Sequence, residues 1–83
     1  MVREMIHIDK DLETKGIALF VQTATKYSSS IKVQYDNKIA NAKSIMSMIS
    51  LGITDGKIIN LVADGEDADK AIEDLTKFLK TEN

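Results

Sequence analysis

Between Ile31 and Tyr35 apolar and polar residues alternate strictly, with Ile31, Val33 and Tyr35 set against Lys32 and Gln34. A period of two sends one set to each face of a strand, so this segment predicts a strand buried on one side. Residues 2–8 place Ile6 and Ile8 on one face and predict an earlier strand. Between the two, Ile17, Phe20, Val21 and Ala24 recur at helical spacing, which predicts an amphipathic helix from Thr14 to about Lys26. Asp36 and Asn37 both tolerate positive φ and predict a two-residue hairpin turn, returning the chain antiparallel through residues 38–41.

The next stretch, NAKSIMSMISLG (41–52), is apolar enough for a short helix, with Ser44 as N-cap and Gly52 as its stop. A helix of two turns cannot bury all of Ile45, Met46, Met48, Ile49 and Leu51. Met48 and Leu51 are expected in the core, with Ile45 a further candidate, and Met46 and Ile49 on the surface. Residues 57–63 are the most strand-like of the chain. A last helix, capped by Asp67 or Glu66, follows with Ala68, Ala71, Ile72, Leu75, Phe78 and Leu79 in one stripe. The order βαββαβα predicts an α+β fold, a four-stranded antiparallel sheet with three helices on one face.

Composition narrows the function. The chain has 83 residues and is expected to form one domain, 1–83. It has no cysteine and one histidine, so neither disulfides nor a zinc or copper site is expected. The acidic group Asp64, Glu66, Asp67 and Asp69 is read as a helix start and not as a metal site. The net charge of −2 comes from interspersed signs, with no basic stripe for nucleic acid. The longest unbroken apolar run, Ile17–Val21, is far too short to insert into a membrane. A soluble cytoplasmic protein is expected.

Five stretches carry a resemblance: VQTATKY (21–27), YDNK (35–38), NAKSIM (41–46), SLGI (50–53) and DGEDADKAIEDL (64–75). In order and without large gaps, they closely resemble HPr, the histidine-containing phosphocarrier of the bacterial sugar phosphotransferase system. The resemblance implies an HPr-like open-faced sandwich. HPr proteins accept phosphate from enzyme I on a histidine in the motif G-[LI]-H-A-R-P-A, just before the first helix. The matching stretch here is DLETKGI, residues 11–17. Leu12 fits, but Glu13 stands where the histidine should be, Lys15 replaces the arginine, Gly16 the proline and Ile17 a small residue.

Imidazole is a neutral nucleophile near pH 7, whereas a carboxylate must approach the phosphoryl group with its own negative charge. His7 sits in the first strand, away from this loop, and does not substitute. Histidine-type carrier activity is therefore not expected, and engagement of enzyme I is doubtful. Glu13 and Lys15 are read either as solvated loop residues or as a fixed charge imitating phosphohistidine.

The second family site is intact. The K-S-I-M motif, Lys43 to Met46, surrounds Ser44, which corresponds to the serine phosphorylated by HPr kinase/phosphorylase in Gram-positive HPr proteins. A subgroup, the catabolite-repression HPr proteins (Crh), lacks the histidine and keeps the serine. Its phosphorylated form assists a LacI-type catabolite control protein, and the present chain is similar to that subgroup. The resemblance implies a regulatory or binding protein without a cofactor and not an enzyme, with Leu12, Glu13, Lys15, Lys43, Ile45, Met46 and Ile49 contacting a regulator or metabolic enzyme. Two alternatives stay open: a diverged carrier using Glu13, and a binding module that is never phosphorylated.

Overall fold

The structure is a computed structural model and describes residues 1–81, excluding the Thr81 side chain. Its elements are β1 (Val2–His7), α1 (Thr14–Ala24), β2 (Ser30–Tyr35), β3 (Lys38–Asn41), α2 (Ile45–Leu51), β4 (Ile58–Asp64) and α3 (Ala68–Thr81). The strands form one sheet in the order β1-β4-β2-β3, with every neighbouring pair antiparallel. This is the expected α+β fold. The strand called for at 2–8 ends one residue early, but Ile8 still continues the ladder. Its N–H donates to the Lys57 carbonyl at 2.8 Å, and its carbonyl accepts from Gly56 N–H at 2.7 Å.

Register sets the core. Ile6 lies opposite Ile59, and Val33 lies between Leu61 and Ala40. With Ile31 and Ala63 these side chains make one buried sheet face. The apolar stripes of α1 and α3 pack on it, and Phe20 and Phe78 meet with ring centroids 5.9 Å apart. In the β2–β3 turn only Asp36 takes a positive φ, 56°; Asn37 does not need its tolerance for that region.

The start of α3 differs from expectation. The Asp67 main-chain carbonyl accepts the Ala71 N–H, as a cap should, but the Asp67 carboxylate turns to the α1–β2 loop. It accepts Ser28 N–H at 2.9 Å, Ser29 N–H at 3.0 Å and the Ser29 hydroxyl. The Ser29 hydroxyl and the Ser28 N–H hold its pKa down at about 2, below the usual 3.8. A depressed carboxylate pKa stabilises the fold above the unfolded value, and that contribution fades as pH falls through the folded one. Wild-type protein should therefore lose stability between about pH 4 and pH 2. Asp67→Asn should be less stable at neutral pH and should lack that part of the acid dependence, as read by urea unfolding across this window.

Candidate functional site

The site is assembled around α2. Ser44 is extended (φ −117°, ψ 115°), and its Oγ accepts the Ser47 N–H at 3.2 Å. Its carbonyl receives the Met48 N–H at 3.0 Å, so the residue is the expected N-cap and starts the helix. Gly52 ends the helix in the left-handed region at φ 69°, which glycine occupies without a Cβ penalty. The segment leading in is pinned twice. The Asn41 carboxamide accepts the Lys43 N–H at 2.9 Å, and the Lys43 ammonium donates to the Tyr27 carbonyl at 2.6 Å. Ser44 is half-exposed on this braced turn, and the first turn of α2 carries no acidic side chain.

The helix divides its apolar residues. Met48 and Leu51 are buried, whereas Met46 is 75% exposed and Ile49 is 45% exposed. Ile45, a candidate for the core, is instead 44% exposed: it lies between buried Met48 and exposed Ile49 around the helix, at the edge of the buried stripe. Ile45, Met46 and Ile49 thus form an apolar surface next to Ser44. Leu19 of α1, which the sequence reading did not single out, is a further large apolar side chain at the surface. Its place out of phase with Ile17, Phe20, Val21 and Ala24 is the signal that could have found it.

The loop preceding α1 lies at the other end of α2. Leu12 N–H approaches the Ile53 carbonyl at 3.4 Å, and the Asp11 carboxylate accepts the Asp55 N–H at 2.9 Å. This brings the 9–13 loop beside the chain leaving α2, with Ser44 roughly 10 Å away along a seven-residue helix. Glu13 and Lys15 are both exposed. Glu13 is the N-cap of α1 by position, yet its carboxylate makes no capping bond.

Two expected contact residues are placed differently. Leu12 is buried with the core, folded over Gly16, where even a single methyl would come within 3.0 Å of Leu12 Cδ1. It supports the loop that carries Glu13 and Lys15. The Lys43 ammonium is engaged by the Tyr27 carbonyl, so its role in this structure is to hold the turn that presents Ser44. His7 lies exposed at the end of β1, opposite Ile58 and on the strand face turned away from the helices. Among the described residues no group of three His, Cys, Asp or Glu side chains is placed to hold a metal, and no helix is long and apolar enough to cross a membrane.

Comparison with known proteins agrees with this architecture. Residues 4–81 match the family model described as "PTS HPr component phosphorylation site". The chain is 36% identical over 77 residues to HPr-like protein Crh of Bacillus subtilis, spanning 93% of this chain and 91% of that protein. It is 45% identical over 68 residues to phosphocarrier protein HPr of Buchnera aphidicola from Acyrthosiphon pisum, spanning 82% and 80%. The crystal structure of HPr-C-His from Thermoanaerobacter tengcongensis superposes with a TM-score of 0.93 at 43% identity, covering 98% of this chain and 93% of that one.

Proposed function

Because the chain belongs to the HPr family, we propose that it is a Crh-like regulatory phosphoprotein whose phosphorylation site is Ser44. The observation that carries this reading is the setting of Ser44, a half-exposed N-cap on a braced turn, flanked by exposed Ile45 and Met46. HPr kinase/phosphorylase is the modifying enzyme, and the regulated partner is a LacI-type catabolite control protein or a comparable metabolic regulator.

Phosphate at this position adds about 1.5 to 2 negative charges at a helix start. Amide N–H groups and the helix dipole favour an anion there, and no acidic residue of the first turn opposes it. The modification leaves the fold intact and changes what α2 presents. Exposed Met46 suits a surface that meets more than one partner, since a thioether side chain adapts its shape at little cost. Glu13 replaces the neutral nucleophile of a carrier with a fixed charge. Lys15 supplies a point charge where the family arginine offers a planar fork, which weakens any contact built on bidentate pairing.

Incubation with HPr kinase/phosphorylase and ATP should add one phosphoryl group to the wild type and none to Ser44→Ala. The variant should fold with a loss of about 1 kcal/mol, the worth of one N-cap. Wild-type protein that stays unmodified under conditions that modify an authentic HPr would sink the reading.

A further inference from the structure

The sheet has a second face, opposite the helices and the Ser44 surface, and its composition is unusual for solvent-facing strands. Met5 and Ile39, at the two ends of one cross-strand row, are 64% and 66% exposed, and Ile58 is 44% exposed. In the neighbouring row Val62 sits between Arg3 and Lys32 and is only 9% exposed. The Arg3 guanidinium reaches across β4 to the Gln34 carboxamide, donating at 3.2 Å from Nη1. That bond uses one of the five N–H donors of the guanidinium.

The charge on this face runs against that of the molecule. The chain carries 13 acidic and 11 basic side chains, yet the only outward-pointing carboxylate on the strands is Asp64, at the very end of β4. Glu4 belongs to the other face by alternation. Arg3 and Lys32 therefore flank Val62 with no carboxylate in their own row; His7 and Ser30 share this face, and Asp64 lies one row further along.

We propose that this helix-free sheet face docks a protein partner through a segment that presents carboxylates flanked by apolar side chains. Arginine and methionine are enriched and acidic residues depleted at the centres of protein interfaces, as they are on this face. The held guanidinium offers a carboxylate a bidentate site whose ordering cost is already partly met. Two cations are too few for nucleic acid or an anionic membrane, which bind through clusters of basic residues. The centre of this surface, Arg3, Val62 and Lys32, lies on the opposite side of the sheet from Ser44, and only its β3 edge, at Ile39, borders the groove lined by Met46 and Ser47.

The test is a titration of the isotope-labelled full chain with a synthetic eight-residue peptide of alternating Glu and Leu, followed by amide NMR shifts. The same peptide with Lys for Glu and phosphatidylglycerol vesicles serve as comparison probes. The Glu peptide should move the signals of Met5, Lys32 and Ile58 while leaving those of Ile45, Met46 and Ile49 in place. The paired substitution Arg3→Glu and Lys32→Glu should weaken this binding by about tenfold or more, with an unchanged circular dichroism spectrum. Four results would each overturn the proposal: equal binding of the Lys peptide, shifts confined to α2, preference for the vesicles, or self-association through the same residues in the absence of peptide.

Discussion

Gly65→Ala is expected to be the most damaging single-methyl change in the chain, lowering the thermal midpoint by roughly 15 °C. Gly65 has φ 154°, a region that residues with a side chain rarely adopt. A Cβ there would lie 2.5 Å from Ser29 Oγ and 2.8 Å from Ser29 Cα. Ser29 cannot yield easily: it is 1% exposed, and both its N–H and its hydroxyl are bonded to the Asp67 carboxylate. Backbone strain and overpacking together give a cost of about 3 kcal/mol. Thermal unfolding followed by circular dichroism checks it, and a midpoint close to wild type would contradict the close approach. Ser29→Gly removes the two side-chain contacts, so in a double-mutant cycle it should recover part of the Gly65→Ala loss.

The second large effect separates two methionines of one helix. Met48→Ala should cost about 3 kcal/mol, because a fully buried side chain leaves both lost transfer energy and a cavity. Met46→Ala should stay within about 0.5 kcal/mol, since its side chain is already in solvent. Denaturant unfolding gives both values. The order should reverse when phosphorylation by HPr kinase/phosphorylase is measured: Met46→Ala slows it, while folded Met48→Ala does not. Equal stability costs for the two would show that α2 does not divide its apolar residues between core and surface.

That division was partly legible in the sequence. Local periodicity separates Met48 and Leu51 from Met46 and Ile49, because residues at fixed helical spacing share a face. It left Ile45 undecided, and it was the family resemblance, not periodicity, that named Leu12 and Lys43 as partner contacts. Those two are governed by contacts that local pattern does not carry, namely Leu12 over Gly16 beside Ile53, and the Lys43 ammonium on the Tyr27 carbonyl sixteen residues away. Asp67 shows the same limit. Its position before an apolar stripe reads as a cap, yet the loop at Ser28 and Ser29, distant in sequence, takes the carboxylate. The strands were readable from alternation, but the order β1-β4-β2-β3 depends on which edges meet in space.

The proposal assigns phosphorylation to Ser44 alone. It is tested most directly by intact-mass measurement after two parallel incubations, one with ATP and HPr kinase/phosphorylase and one with phosphoenolpyruvate and enzyme I. The account predicts one phosphoryl group in the first, lost in Ser44→Ala, and none in the second. A label acquired from phosphoenolpyruvate, above all one released by hydroxylamine as an acyl phosphate on Glu13 would be, contradicts it.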